Sequence, residues 1–248
     1  MEFSNKVVLV TGSAQGIGEA IAVHFAERGA SVVAADVNVE GAQRCVAGIE
    51  ESGGKAIAIK ADVTSRADVE AMVARVLEEF GGVDVLVNNA GFTETHPFIE
   101  EDEAYWDRVI AINLKGPILC SRAVLDSMIE RKRGKIVNVG SDAGRVGTLG
   151  QSVYAAAKGG VIAWTKSLAR EVARYKIGVN CVCPGPTDTP LLADQSEKVI
   201  EAMTRQIPFR RVAMPEEIAA AILFLASGAA DYITGQVLSV SGGLTMVD

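Results

Sequence analysis

The chain has 248 residues, of which 49% are hydrophobic and 22% charged, and its formal net charge is −7. This profile is typical of a folded domain with a large core, and the acidic balance disfavours a nucleic-acid partner. Because the amino terminus lacks a signal-peptide layout and no apolar run approaches 18 residues, the sequence favours a cytoplasmic protein without a membrane partner.

Strand-like and helix-like segments alternate along the whole chain. Strand-like segments lie near 6–11, 31–36, 55–60, 83–87, 134–140, 177–183 and 236–240. Helical patterns lie near 16–28, 39–52, 66–80, 101–131, 152–174 and 215–227. This alternation predicts an α/β fold with one domain over 1–248: a doubly wound, Rossmann-type, seven-stranded parallel sheet with helices on both faces. The segment at about 186–214 has no clear place in this pattern, and we expect it to form a substrate lid.

A glycine-rich turn directly follows the first predicted strand and opens the first predicted helix. Glycines at this place allow a tight turn and a close backbone approach to a pyrophosphate, while the helix N-terminus offers free N–H groups to the anion. The spacing Gly-x-x-x-Gly-x-Gly is one residue longer than the usual dinucleotide fingerprint. The turn predicts a dinucleotide site formed by Gly12, Ser13, Gln15, Gly16, Ile17 and Gly18.

Asp36 ends the second predicted strand, where its carboxylate can accept hydrogen bonds from the adenosine ribose hydroxyls. A 2′-phosphate would be repelled there, and neither Gln15 nor Val37 supplies a compensating cation. A carboxylate at this position therefore favours NAD over NADP. The alternative interpretation of Asp36 is a solvated carboxylate at a strand end, without a role in binding. Asp62 and Val63 follow the third strand, at the sheet edge where ligands of open α/β folds bind.

Tyr154 and Lys158 are four residues apart on a predicted helix, so they share one face. A nearby ammonium favours the phenolate, and we expect it to lower the tyrosine pKa for acid–base chemistry on an alcohol or ketone. Ser141 closes the fifth predicted strand and can bind a substrate oxygen. Neither His24 nor His96 is placed to complete a hydrolase triad.

These motifs resemble those of the classical short-chain dehydrogenases/reductases over essentially the whole chain. The matching positions are the glycine-rich turn, Asn88-Asn89-Ala90-Gly91, Asn113, Ser141, Tyr154, Lys158, Pro184-Gly185 and Thr189. The resemblance implies an oxidoreductase in which Tyr154 is the acid–base group, Lys158 lowers its pKa and binds the nicotinamide ribose, and Ser141 orients the substrate oxygen. Asn113 would hold a water that links Lys158 to solvent.

The resemblance also implies further cofactor contacts and an assembly. The cofactor would lie along Asn89, Ala90, Gly91, Ile112, Tyr154, Lys158, Pro184, Gly185, Thr187 and Thr189. The helices near 114–131 and 152–174 would form the contacts of a homotetramer. Two positions depart from the common family pattern, Asp142 after Ser141 and Pro186 after Gly185.

The loop sequences at 141–147, 182–189 and 235–246 resemble those of family members that act on cyclic substrates. This resemblance implies a small-molecule substrate, either a cyclic hydroxyacyl-CoA or a small cyclic or aryl alcohol. We expect substrate contacts from Asp142, Arg145 and Gln151. Arginines that could bind CoA phosphates are Arg145, Arg205, Arg210 and Arg211; alternatively they are surface residues paired with Glu201 or with Glu216 and Glu217. The four scattered cysteines do not have metal-ligand spacing, so no metal is expected.

Two other functions stay open at this point. An NADPH-dependent 3-oxoacyl reductase would share every predicted catalytic residue, and the cofactor preference at Asp36 discriminates against it. A non-enzymatic dinucleotide sensor of the same fold would not explain why Asn113, Ser141, Tyr154 and Lys158 are all present.

Overall fold

Seven parallel strands form a single sheet in the order β3-β2-β1-β4-β5-β6-β7. The computed structural model describes residues 1–193 and 196–247. The strands are β1 (Val7–Thr11), β2 (Ser31–Asp36), β3 (Lys55–Lys60), β4 (Val85–Asn88), β5 (Gly134–Val139), β6 (Ile177–Pro184) and β7 (Val237–Val240). Each lies within two residues of its predicted bounds, and the predicted doubly wound fold class is confirmed.

The helices connect the strands and cover both faces of the sheet. They are α1 (Gly16–Glu27), α2 (Val39–Glu51), α3 (Arg66–Phe80), α4 (Glu103–Ile110), α5 (Gly116–Arg131), α6 (Ala143–Val146), α7 (Ser152–Val172), α8 (Pro190–Ala193), α9 (Glu197–Gln206) and α10 (Pro215–Ala226). The single helix predicted at 101–131 was wrong, because the π-helical segment Ala111–Lys115 divides it into α4 and α5. A 3₁₀ turn at Phe98–Glu100 precedes α4.

The core consists of two apolar layers, one on each side of the sheet. All five residues of β1 are buried, and alternate side chains point to opposite faces. Val8 and Val10 pack with residues of α1 and α10, including Ile21, Phe25, Ile218 and Ile222. Val7 and Leu9 pack with residues of α3 and α5, including Met72, Val76, Val124 and Met128. Burial on both faces explains why the strands are continuously apolar rather than alternating.

Side-chain caps fix where three of the helices begin. Asn38 accepts a hydrogen bond from the Gly41 amide at the start of α2, Ser65 accepts one from Asp68 at α3, and Asp102 accepts one from Tyr105 at α4. Such caps satisfy amides that have no partner within the helix. These three helices therefore begin at a defined residue.

The segment predicted as a lid contains two short helices, α8 and α9, which the sequence pattern did not resolve. α9 has no buried residue. Residues 194 and 195 of this segment lie outside the described residues. None of the helices in the described chain is both long and apolar enough to cross a membrane.

The strand order places a crevice at one edge of the sheet. β1 pairs with β2 on one side and with β4 on the other, so successive crossovers run in opposite directions from β1. Loops that leave the carboxyl ends of neighbouring strands diverge at such a switch point and leave room for a ligand.

Candidate active site

A cleft of about 1430 Å³ opens at the carboxyl ends of the strands. Pockets that hold one drug-sized ligand measure roughly 300 to 1,000 Å³, so this cleft has room for two molecules side by side. The predicted cofactor residues that line it are Gly12, Gln15, Gly16, Ile17, Gly18, Asp36, Asp62, Val63, Asn89, Ala90, Gly91, Ile112, Tyr154, Lys158, Pro184, Gly185, Thr187 and Thr189. Ser141, Asp142 and Gln151 line it as well.

Three predicted site residues lie outside the cleft wall. Ser13 is fully buried, and its hydroxyl donates to the carbonyl oxygen of Ala35. Asn113 is fully buried behind the wall. Arg145 points elsewhere, since its guanidinium donates to the carbonyl oxygen of Val247 at 2.5 Å.

The glycine-rich turn is held by close backbone contacts that leave no room for a side chain at Gly12 or Gly18. Gly12 has φ +68°, a left-handed conformation that favours glycine. A Cβ on Gly18 would lie 1.9 Å from the carbonyl oxygen of Gly12. The Asn89 side-chain amide donates to the carbonyl oxygens of Thr11 and Gly12 at 3.0 and 2.9 Å. Together these contacts hold the turn at the end of β1 against the end of β4.

The amino terminus of α1 opens on the cleft without a side-chain cap. Gln15 is the N-cap residue, and its side chain makes no capping hydrogen bond. The amides of the first turn are therefore available to a ligand, and the helix dipole adds positive potential at the same place. This combination fits the pyrophosphate of a dinucleotide.

Asp36 is held in place by two backbone amides. Its carboxylate accepts hydrogen bonds from the amides of Ala14 and Asn38, both at 2.9 Å. A carboxylate has lone pairs beyond those two, so it can also accept hydrogen bonds from a vicinal diol. The fixed anion beside the glycine-rich turn fits a ribose that bears two free hydroxyls.

Ser141 follows β5 and is oriented by its own loop. The Ala143 amide donates to the Ser141 hydroxyl oxygen at 3.1 Å. Because that bond uses a lone pair of the oxygen, the hydroxyl proton stays free to be donated. Tyr154 lies on α7 and lines the same cleft.

Lys158 is one helical turn beyond Tyr154 and is buried. Its ammonium group donates to the carbonyl oxygen of Val139 at 2.8 Å and lies 5.7 Å from the centre of the Tyr154 ring. Tyr154 and Lys158 therefore lie on the same face of α7, as predicted, and this face lines the cleft.

The expected lowering of the tyrosine pKa is not seen. Burial raises the pKa of Tyr154 to about 12, although the neighbouring Ser141 hydroxyl acts in the opposite direction. Burial also lowers the pKa of Lys158 to about 8, because a low-dielectric environment disfavours the ammonium charge. Desolvation of the phenol therefore outweighs the opposing effect of Ser141, and sequence spacing alone does not reveal how deeply the phenol is buried.

Asn113 lies in the π-helical segment and ties it to the loop after β4. Its side-chain amide donates to the carbonyl oxygens of Phe92 and Val109 at 2.7 and 2.9 Å, and its oxygen accepts from the Phe92 amide at 3.2 Å. All of these partners are backbone groups. The side chain thus acts as a clamp between helix and loop.

The predicted arginines bind other protein groups. Arg205 pairs with Glu201 at 3.0 Å, and Arg210 donates to the carbonyl oxygen of Arg205. Arg211 forms two hydrogen bonds of 2.6 Å with Glu217, which hold the pKa of that carboxyl at about 2. Arg205 and Arg211 are therefore surface residues paired with glutamates, as the alternative to a role in binding CoA phosphates expects.

Sequence reasoning missed most of the apolar wall at the far end of the cleft. This wall includes Val146, Leu149, Leu191, Leu192, Val199, Met203 and Leu244. The spacing of Val199 and Met203, four residues apart on α9, was a signal that one face of this helix is apolar. Arg108 also lines the cleft, with its guanidinium 3.8 Å from the centre of the Phe92 ring.

Comparisons with known proteins agree with this geometry. The family described as Enoyl-(Acyl carrier protein) reductase matches residues 12–245. Cis-4-hydroxycyclohexanecarboxylate dehydrogenase of Sinomonas cyclohexanicum is 46% identical over 99% of this chain and 98% of its own length. 3-Oxoacyl-(acyl-carrier-protein) reductase FabG of Thermotoga maritima is 42% identical, over 99% of this chain and 100% of its own length.

A third relative is (2S)-((R)-hydroxy(phenyl)methyl)succinyl-CoA dehydrogenase subunit BbsD of Thauera aromatica. It is 40% identical over 99% of this chain and 99% of its own length. With a matched fold and relatives above 40% identity along the whole chain, this protein belongs to the classical short-chain dehydrogenase/reductase family of oxidoreductases acting on secondary alcohols or ketones.

Proposed function

We propose that the protein is an NAD-dependent dehydrogenase that interconverts a cyclic or aryl secondary alcohol and its ketone. The observation that carries the proposal is the placement of Ser141, Tyr154 and Lys158 in the same cleft as the glycine-rich turn. This brings a hydroxyl, a phenol and an ammonium together beside a turn suited to a dinucleotide.

The proposed mechanism assigns one task to each side chain. The Ser141 hydroxyl donates a hydrogen bond to the substrate oxygen and so orients it. Tyr154, as phenolate, accepts the proton of the alcohol hydroxyl, and Lys158 stabilises that phenolate by its charge. The chemistry that bound NAD supplies is acceptance of the hydride from the carbinol carbon. In the reverse direction Tyr154 returns the proton to the ketone oxygen.

Asn113 has a supporting role in this proposal. Its clamp on Phe92 fixes the helix beside Lys158, and the irregular backbone of Ala111–Lys115 offers places for a water that links Lys158 to solvent.

The fixed carboxylate of Asp36 supports NAD as the cofactor. Hydrogen bonds from two backbone amides hold the carboxylate beside the turn. A 2′-phosphate bound there would therefore be repelled by an anion whose position is fixed. NADPH binding would require that repulsion to be offset by cations.

The apolar wall supports a ring-bearing substrate. Leu149, Leu191, Met203 and Leu244 provide a surface against which a cyclohexane or phenyl ring can pack, and Gln151 offers a polar contact. The loop sequences 141–147, 182–189 and 235–246 resemble those of 2-hydroxycyclohexanecarboxyl-CoA dehydrogenase, so we include the CoA thioester among the candidate substrates. Arg145 does not line the cleft, so a thioester would have to bind without that cation.

A second candidate function is NADPH-dependent reduction of a 3-oxoacyl thioester. The observation that favours it is the identity of 42% to the 3-oxoacyl-(acyl-carrier-protein) reductase of Thermotoga maritima. The same serine, tyrosine and lysine would serve that reaction.

We further propose a cytoplasmic homotetramer of one-domain subunits in which the segment 186–214 covers the substrate. Apolar Leu191, Val199 and Met203 support the lid, since they line the cleft from that segment.

The test is a substrate panel assayed with both cofactors. Cyclic alcohols, aryl alcohols, hydroxycyclohexanecarboxylates and their CoA esters are each incubated with NAD or NADP, and 3-oxoacyl thioesters are incubated with NADH or NADPH. Formation or loss of the reduced cofactor is followed by absorbance. We expect turnover of at least one cyclic or aryl alcohol with NAD. Turnover confined to 3-oxoacyl thioesters with NADPH would replace the proposal with the second candidate.

A further inference from the structure

A row of hydrogen bonds runs from the loop after β7 to the carboxylate of Asp142. The Thr245 amide donates to the Ser241 hydroxyl at 3.2 Å, and the hydroxyl oxygens of Ser241 and Ser239 are 3.1 Å apart. Ser239 lies 2.7 and 2.8 Å from the two oxygens of Asp142. An ionised carboxylate only accepts, so Ser239 donates its single proton to Asp142, and Ser241 donates to Ser239.

This row joins the three loops that form one end of the cleft. Asp142 follows β5 and also donates its backbone amide to the carbonyl oxygen of Pro184 at the end of β6. Ser239 belongs to β7, and the amide of Gly185 donates to Val240. Asp142 therefore connects the loop after β5 to β6 through its backbone amide and to β7 through its side chain.

Asp142 is buried, with only 5% of its surface exposed, and it is the residue that follows Ser141. The same short loop supplies the Ala143 amide that holds the Ser141 oxygen at 3.1 Å. Any shift of residue 142 toward or away from β7 would move both the serine and the amide that orients it. The carboxylate binds Ser239 with both oxygens, which directs it toward β7.

We propose that Asp142 is a positioning residue whose carboxylate fixes the direction of the Ser141 hydroxyl by anchoring the loop 141–144 to β7. This inference rests on the proposed function, because it concerns the same reaction. It assigns to Asp142 a role different from the substrate contact expected from the sequence, and it makes Ser239 a partner in the site.

The experiment compares Asp142→Ala, Asp142→Asn and Ser239→Ala with the wild-type enzyme. We expect Asp142→Ala to lower kcat by up to about 100-fold, because a misplaced catalytic group costs that much, while the Kd for NADH stays within about twofold. Asn still presents an oxygen to Ser239, so Asp142→Asn should recover most of the lost kcat. Ser239→Ala should lower kcat in the same direction, and the double variant should be no slower than Asp142→Ala alone.

A matched control separates positioning from general stability. The Asn180 side chain donates to the carbonyl oxygen of Ile233 and accepts from the Gln236 amide, each at 3.0 Å, so it ties β6 to the start of β7. Asn180→Ala should lower Tm while kcat stays at the wild-type value. If Asp142→Ala and Ser239→Ala lose no more kcat than this control, or raise only KM, the positioning role is overturned.

A readout independent of turnover keeps this inference distinct from the proposed function. Hydrogen–deuterium exchange of the Ala143 and Gly144 amides should be faster in Asp142→Ala than in the wild type. Unchanged exchange there would overturn the positioning role even if no substrate were found. Absence of turnover in the wild type, with faster exchange in the variant, would overturn the proposed function alone.

Discussion

The ammonium group of Lys158 is bound to the carbonyl oxygen of Val139 at 2.8 Å, inside the protein and beside the Tyr154 ring. The contact satisfies one of the three ammonium protons, and burial still lowers the pKa of this lysine to about 8. Its charge is therefore lost within the pH range in which dehydrogenases are assayed.

The first prediction is a break in the pH dependence of alcohol oxidation near pH 8. Burial raises the pKa of Tyr154 to about 12. Below that pH, the phenolate fraction increases tenfold for each unit by which the pH is raised. Above about pH 8 the charged fraction of Lys158 falls tenfold per unit, and the two effects cancel. Log kcat/KM for oxidation should therefore rise with unit slope up to about pH 8 and then level, whereas for ketone reduction it should be flat and then fall.

Two lysine variants serve as controls for this break. Arginine stays charged throughout, so Lys158→Arg should keep a rising oxidation profile above pH 8. Lys166→Arg, on the exposed side of the same helix, should leave the break where it is. A wild-type profile that rises with unit slope through pH 9 would contradict the assignment.

The second prediction concerns the acid–base role of Tyr154. Tyr154→Phe removes only the hydroxyl, and general acid–base catalysis contributes about 10²- to 10⁴-fold, so kcat should fall by that factor. The Kd for NADH, measured by fluorescence, should change little. Tyr175→Phe is the control, since Tyr175 packs against the core beneath the sheet. Equal loss of activity in both variants would argue against a specific role for Tyr154.

The third prediction tests cofactor choice at Asp36. Asp36→Ala removes a charged hydrogen-bond acceptor worth about 1.5 to 3 kcal/mol, so NADH should bind about 10- to 100-fold more weakly. The Kd for NADPH should improve, because the repulsion of its 2′-phosphate is removed. Both constants are measured by fluorescence titration, with the exposed Glu40→Gln on α2 as control. A fall in NADPH affinity parallel to that for NADH would contradict the electrostatic explanation.

The fourth prediction tests the packing of the glycine-rich turn. A Cβ on Gly18 would meet the carbonyl oxygen of Gly12 at 1.9 Å, so Gly18→Ala must displace the turn. We expect NADH binding to be lost and Tm to fall. Gly48→Ala in α2 is the matched control, because nothing lies within 4 Å of the added methyl group, and alanine there should stabilise the helix by up to about 1 kcal/mol. Retained NADH binding in Gly18→Ala would show that the turn does not form the cofactor site.

Much of the fold could be predicted because its signals are local. Continuous apolar runs such as Val7–Val10 mark strands covered on both faces, and Gly81 ends α3 in a left-handed conformation as a glycine after a helical pattern suggests. The division between α4 and α5 was missed because the apolar pattern continues through Ala111–Lys115, although Pro117 offered a signal for a new helix start.

The site was harder to predict where it depends on contacts between distant segments. Motif spacing located Tyr154 and Lys158, yet their pKa values follow from burial by strands and loops far away in sequence. The orientation of Asp142 depends on Ser239, 97 residues later, and that of Arg145 on Val247, 102 residues later. No local pattern carries such information.

The π-helical segment has a consequence for how this enzyme tolerates change. A π segment is equivalent to one residue inserted into an α-helix, so deleting a single residue from 111–115 would restore regular winding. Each residue of an α-helix turns the following ones by about 100°, so Asn113 or the whole of α5 would then face a different direction. The shortened chain would have a more regular helix but would lose the hydrogen bonds between Asn113 and Phe92. In this segment, a gain in helix regularity would therefore come with a loss of activity.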